Sequence, residues 1–151
     1  MGRRNKPIVK KCMLKRLRQD GSGAVAVEFG LVMPLFIGMF LGMIEYSAVF
    51  FTYGAMQSAA RDVTRQVAVN TLLPGSAEAE VKGRLPKWAQ GDVTVLVSQS
   101  APANPAINVI TTTVELPIAK ATPISFYTKA QTTEIGSTVE MKQELPFVEV
   151  K

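Results

Sequence analysis

The stretch that decides the fold is "GSGAVAVEFGLVMPLFIGMFLGMIEYSAVFFTY", residues 21–53, an apolar run that contains two acids. Between Phe29 and Tyr53 it is interrupted only by Glu45 and by small or weakly polar residues. A helix of about 20 residues crosses the hydrocarbon core of a bilayer, so this run is long enough to span a membrane. The alternative is the buried helix of a soluble protein, but a chain of 151 residues has little other core to cover a helix that is apolar on all sides.

The positive charge of the chain is concentrated in a leader, residues 1–23. Eight of the 17 Lys and Arg residues precede Gly21 and are opposed there only by Asp20: Arg3, Arg4, Lys6, Lys10, Lys11, Lys15, Arg16 and Arg18. Beyond residue 51, basic and acidic residues are equal in number, so the net charge of +5 comes from the leader. A nucleic-acid-binding domain would instead display its charge on a folded face. A basic segment before an apolar span predicts a cytoplasmic leader and an external C-terminal part.

The junction between leader and span is unlike that of an ordinary secretory signal, because its small residues precede the apolar stretch. A protease acting there would cut at the cytoplasmic face and leave the span attached. Type IV pilin-like precursors have this arrangement: a basic leader ends in Gly, and Glu is the fifth residue of the mature chain. A cut between Gly23 and Ala24 would make Glu28 the fifth residue, followed by Phe29.

Residues 21–70 resemble the TadE-like pseudopilins of bacterial tight-adherence (Flp) pilus systems. The matching features are, in chain order, Ala26-Val27-Glu28-Phe29, Pro34, Ile44-Glu45-Tyr46, and an Ala-Ala-Arg-x-x-x-Arg segment with Arg61 and Arg65. TadF-like and longer relatives share this N-terminal pattern. The resemblance implies cleavage after Gly23 and a role for Glu28 in subunit register. The partners it implies are a prepilin peptidase, other pilins and pseudopilins, the inner-membrane Tad assembly machinery and membrane lipid.

Glu28 also has a physical interpretation that does not depend on the resemblance. A carboxylate inside a membrane segment costs a few kcal/mol, so it is rarely found there without a partner. After cleavage, the new α-amino group of Ala24 would lie one helical turn from Glu28 and could reach the same acid on a neighbouring chain. A charged pair shares the desolvation cost that either group alone would bear. The alternative is that Glu28 sits solvated in the headgroup layer and has no role.

Small residues and one proline recur every four positions along the span: Gly30, Pro34, Gly38 and Gly42. Gly38 and Gly42 form a Gly-x-x-x-Gly pattern, which lets two membrane helices approach closely, although glycine is also common in membrane helices. At 100° per residue, Glu45 falls near the same face and is a candidate contact. Because Pro34 removes a backbone donor, we expect a kink or local melting of the helix there.

Beyond the span, an apolar stripe at i, i+4, i+7 and i+11 spacing is formed by Met56, Ala60, Val63 and Val67. This spacing predicts that the helix continues amphipathically to about Val69, before the "NTLLPGS" stretch ends it. The expected organisation is a transmembrane helix over residues 24–53, a helical stalk over 54–70 and a periplasmic head over 71–151. Arg61 and Arg65 lie on other faces of the stalk and are candidate assembly contacts, with a solvated helix face as the alternative.

The head has the period of strands. Residues 92–98, 107–116 and 132–141 are rich in Val, Ile and Thr and are bounded by turn residues, which predicts three strands. Residues 77–85 are a candidate short helix, and Gly136 is a candidate β-bulge. The predicted class is therefore α+β, with a long membrane-spanning helix, an amphipathic stalk and a small antiparallel sheet packed on the stripe of that stalk.

Groups for catalysis are scarce in this sequence. It has no His, and its single cysteine, Cys12, lies in the leader. It has no Gly-rich phosphate loop and no paired-carboxylate motif, so we expect no enzyme, metal, cofactor or nucleic-acid partner. The leading hypothesis is a minor pilin of the bacterial inner membrane that serves Tad pilus assembly in adhesion or secretion. The alternatives are an uncleaved, signal-anchored periplasmic scaffold or binding protein and a membrane-anchored enzyme.

Overall fold

The structure, a computed structural model, describes residues 21–144. The basic leader up to residue 20, with Cys12, lies outside the described residues, as does the end of the predicted head beyond residue 144. The helices and strands of the described part are α1 (Gly21–Ala68), α2 (Ala77–Arg84), β1 (Thr94–Gln99), β2 (Val109–Pro117) and β3 (Glu134–Lys142), with 3-10 turns at Pro74–Ser76 and Ile118–Lys120. This is the predicted α+β class.

Helix α1 is continuous and ends one residue before the expected Val69. It passes through Pro34 without interruption, so the helix does not melt there. Its end is set by Asn70, whose φ of 59° lies in the left-handed region that Asn tolerates after a helix. The N–H groups of Thr71 and Leu72 then donate to the carbonyl of Gln66 at 2.9 and 3.1 Å, which satisfies an acceptor of the last turn.

The chain divides into two compact units, residues 1–41 and 42–151. The described part of the first unit is helical, and its large apolar side chains from Val25 to Phe40 are exposed. Within the described residues, one helix, Gly23–Ala68, is long and apolar enough to cross a membrane, and its most apolar window is not buried in protein. The core helix of a soluble protein would be covered, so this exposure favours the membrane interpretation.

In the second unit, the three strands form an antiparallel sheet in the order β1-β2-β3. The stripe predicted on α1 is fully buried. It shares one hydrophobic core with Val81 of α2 and with alternate residues of β2. The predicted association of sheet and helix is therefore confirmed. The boundary expected at residue 70 does not separate compact units, because the helical residues from Gly42 onwards belong to the same unit as the head.

The expected bulge at Gly136 is wrong. Strand β3 pairs with β2 in unbroken register from Glu134, opposite Pro117, to Lys142, opposite Val109. Gly136 pairs with Glu115, and a Cβ added to Gly136 would lie 3.4 Å from Cγ of Glu115. The glycine therefore makes room for a neighbouring side chain and does not accommodate an extra residue.

Candidate functional site

Glu45 of α1 is buried, although it lies in a part of the helix where most apolar side chains face outward. Its Oε2 atom accepts hydrogen bonds from the backbone N–H groups of Phe126 at 3.1 Å and Tyr127 at 2.8 Å. Its Oε1 atom accepts from the backbone N–H of Thr128 at 2.7 Å and from the Thr128 hydroxyl at 2.6 Å. The three N–H donors are successive and belong to residues 122–128, here called the Glu45 loop, between β2 and β3.

These hydrogen bonds explain how a carboxylate is tolerated at a buried position. Burying an ionised carboxylate is costly unless hydrogen bonds replace its lost hydration. Each bond to a charged acceptor contributes about 1.5–3 kcal/mol, and both oxygens of Glu45 have two donors. In return, the carboxylate orders three consecutive residues of a connection that belongs to neither strand. Glu45 was a candidate assembly contact, but its carboxylate is engaged by its own chain.

A second tie holds the same connection two helical turns further along α1. The hydroxyl of Thr52 donates to the carbonyl of Ala121, immediately before the Glu45 loop, at 2.7 Å. The indole N–H of Trp88 lies 3.3 Å from both the Thr52 hydroxyl and the Ala121 carbonyl. The start and the end of the Glu45 loop are therefore both fastened to one face of α1.

A signal in the sequence pointed to this face. The stripe spacing, extended backwards from Met56, passes through Thr52, Val49 and Glu45, and all of them are buried. A search for apolar residues begins the stripe at Met56, because Thr and Glu are not typical of a core. Residues 126–128 and Trp88 carried no such signal.

The predicted cleavage and register residues lie together on the exposed helix of the first unit. Gly23, Ala24, Glu28 and Phe29 are all exposed. Ala24 and Glu28 are four residues apart in α1, which places them one turn apart on the same side. Cleavage after Gly23 and a register role for Glu28 stay predictions.

The glycines proposed for helix packing differ in their surroundings. A Cβ added to Gly30 would have no neighbour within 4 Å, whereas one added to Gly42 would lie 3.4 Å from the ring of Tyr127. The space at Gly42 is therefore used by the Glu45 loop of the same chain. Packing of a second helix against Gly30, Pro34 and Gly38 stays a prediction.

Arg61 and Arg65 are exposed on α1. Arg65 lines an open groove of about 360 Å³ together with Asp62, Gln66, Val69 and Arg84. The guanidinium of Arg84 is paired with Asp62 at 2.7 Å and with Glu80 at 2.9 Å. An assembly role for Arg61 and Arg65 stays a prediction. Within residues 21–144, no group of three His, Cys, Asp or Glu side chains is placed to hold a metal ion.

A family model described as "TadE-like protein" matches residues 23–65. The matched segment includes Gly23, Ala24, Glu28 and Glu45, but it covers less than a third of the chain. The match associates the chain with Tad pili and with a family of pilin-type structural proteins rather than enzymes. No curated protein and no solved structure matches the chain. The strands and the Glu45 loop lie beyond the matched residues.

Proposed function

We propose that this protein is a TadE-like pseudopilin, or minor pilin, that takes part in assembling a Tad-type pilus for surface adhesion or secretion. The observation that carries the proposal is the TadE-like match over residues 23–65. That segment contains the proposed scissile bond between Gly23 and Ala24, the acid Glu28 and most of α1. It therefore contains the parts that a pilin-like protein uses for processing and for assembly.

In this proposal, a prepilin peptidase cuts after Gly23 at the cytoplasmic face of the bacterial inner membrane. The apolar helix then remains in the bilayer as a single span, with the head in the periplasm. The exposed apolar side chains from Val25 to Phe40 support the span, because lipid is the environment that would cover them. The eight basic residues of the leader support the orientation.

The two acids of the apolar helix have different roles in this proposal. Glu45 is satisfied inside its own chain by the Glu45 loop. Glu28 is exposed and, within residues 21–144, no side-chain partner engages it. Glu28 is therefore the acid that remains for another chain. Once Ala24 becomes the N-terminus, its amine can pair with a Glu28 carboxylate on a neighbouring pilin or pseudopilin, and the pair lowers the cost of both charges in lipid.

Mass spectrometry of the N-terminus in native membranes tests the proposal. We expect the mature chain to begin at Ala24. A chain that begins at Met1 or Gly2 would instead identify an uncleaved, signal-anchored protein and would overturn the pseudopilin assignment. A strain that lacks its prepilin peptidase is the matched control, because it should contain only the full-length precursor.

The proposed orientation has a separate test. Replacing the eight basic leader residues with Gln removes the charge that retains the leader in the cytoplasm, so insertion should occur in both directions. A reporter active only in the periplasm, fused after Lys151, should then lose a large part of its signal. An undiminished signal would contradict the role of the leader charges.

A further inference from the structure

The tyrosines and the tryptophan of the chain gather around one short part of α1. Tyr46 and Tyr53 lie on α1 itself, Trp88 donates its indole N–H to Thr52, and Tyr127 lies in the Glu45 loop. They are the three tyrosines and the single tryptophan of the sequence. Each of the four side chains is between 36% and 40% exposed. We refer to Tyr46, Tyr53, Trp88 and Tyr127 as the aromatic collar.

Such partly covered Tyr and Trp side chains are typical of the boundary between membrane and water. Their rings are apolar while the hydroxyl or indole N–H needs a polar partner, so they are enriched at the level of lipid headgroups. Counted from Ala24, about 20 helical residues cross the hydrocarbon core and end near Met43. The apolar run continues to Tyr53. The collar residues on α1 therefore lie at the outer boundary of the proposed span.

The Glu45 loop presents apolar side chains at the same part of α1. Ile124 is 54% exposed and Phe126 is 66% exposed. No charged residue occurs in the chain between Lys120 and Lys129. The hydrogen bonds from residues 126–128 to Glu45 hold the backbone of this loop against a helix that continues the candidate span. The exposed side chains of the loop are thus carried on an ordered backbone.

We propose that the aromatic collar and the Glu45 loop seat the head in the outer leaflet of the bilayer that α1 crosses. Ile124 and Phe126 enter the apolar boundary of that leaflet, and the collar lies among its headgroups. Lipid is the occupant because the site continues directly from the apolar run of α1 and carries no exposed charge. The proposal requires that α1 spans a membrane, but it does not depend on a role in pilus assembly.

Site-specific fluorescence in a bilayer tests the proposal. The full chain, with Cys12→Ser to remove its only cysteine, is reconstituted into vesicles of phosphatidylethanolamine and phosphatidylglycerol. A fluorophore is attached at Phe126→Cys. The matched control is Leu96→Cys on β1, an apolar position of the same unit that is 60% exposed. Phe36→Cys reports on the span itself. Quenching is measured with nitroxide-labelled lipid and with aqueous iodide.

We expect the fluorophore at position 126 to be quenched by the nitroxide lipid, and its quenching by iodide to be several-fold weaker than at position 96. Equal iodide quenching at positions 126 and 96 would overturn the proposal. Protection at position 126 from both quenchers would also overturn it, because a protein partner would then be the occupant. A fluorophore at position 36 that behaves as if in water would overturn the proposal and the span together.

Trp88 allows a second measurement without substitution in the head, because it is the only tryptophan. In the wild-type chain, lipids brominated close to the headgroup should quench its fluorescence several-fold more strongly than lipids brominated at the chain ends. This pattern would place the collar in the interface even if Phe126→Cys disturbs the loop. Strong quenching by iodide, with no effect of brominated lipid, would overturn the proposal.

Discussion

Replacing Glu45 with Gln should loosen the Glu45 loop and leave the rest of the head folded. The substitution keeps the size of the side chain but exchanges one acceptor oxygen for an NH₂ group, which is itself a donor. In the wild type, each oxygen accepts two hydrogen bonds. The best arrangement of the Gln amide places its oxygen against the N–H groups of Phe126 and Tyr127 and its NH₂ against Thr128.

The cost of this change can be worked from the contacts. The Thr128 hydroxyl can rotate to accept from the new NH₂ group, but the Thr128 backbone N–H then has no acceptor, at a cost of about 1–3 kcal/mol. The bonds from Phe126 and Tyr127 become neutral and lose about 1 kcal/mol each. Removing a buried charge recovers part of this loss. We therefore expect a net loss of about 2–3 kcal/mol in the free energy that holds the loop on α1.

Hydrogen exchange of the full chain in lipid nanodiscs measures this loss. At about 1.4 kcal/mol per factor of ten, the amides of residues 126–128 should exchange about 30- to 150-fold faster in Glu45→Gln than in the wild type. The amides of β2 should keep their protection, because they belong to the sheet. Glu140→Gln is the matched control, since Glu140 is an exposed glutamate on β3.

Unchanged exchange at residues 126–128 in Glu45→Gln would refute the reasoning, because it would mean that the carboxylate does not hold the loop. Glu45→Asp keeps the charge but shortens the side chain by one methylene group. It should restore only part of the protection, since the four donors converge at distances of 2.6 to 3.1 Å from the present oxygens. Full protection in Glu45→Asp would show that charge alone, without this geometry, is sufficient.

The remaining predictions concern the small residues and the second acid of α1. Gly23→Arg should leave the precursor at full length on an immunoblot, because a peptidase that cuts beside a small residue has no room for a long side chain; normal processing would contradict cleavage after Gly23. Glu28→Ala should give a processed, membrane-resident protein that does not support piliation when it is the only copy, because the new amine has no acid to meet; normal pili by electron microscopy would show that Glu28 is a bystander. Gly42→Leu should displace Tyr127, whose ring lies 3.4 Å from the position of the new Cβ, at a cost of about 1–3 kcal/mol. Chymotrypsin should then cut the loop faster than in Gly30→Leu, where no neighbour lies within 4 Å, and equal rates would contradict this packing.

Much of the fold was predictable because it is written in local periodicity. The span is a composition signal, the stripe from Met56 to Val67 is a helical repeat, and the Val-, Ile- and Thr-rich runs are typical of strands. Each depends on residues close in sequence, and each agrees with the structure to within a few residues at the ends of the elements. Gly136 is the exception, because a glycine in a strand signals either a bulge or a close neighbour, and only the cross-strand partner distinguishes the two.

The site at Glu45 shows what local patterns do not contain. The helical spacing places Glu45 near the face of Gly38 and Gly42, which is correct, but it does not identify what covers that face. The partner is a loop more than 80 residues away in sequence, and three of its four donors are backbone N–H groups. Every residue except proline has such a group, so a backbone donor leaves no signature in the side chains. The sequence by itself thus determined the membrane span, its basic leader, the two acids and the classes of the elements. Only the tertiary structure decided which acid is satisfied within the chain and which is left for another, because that depends on where the connection between β2 and β3 comes to rest.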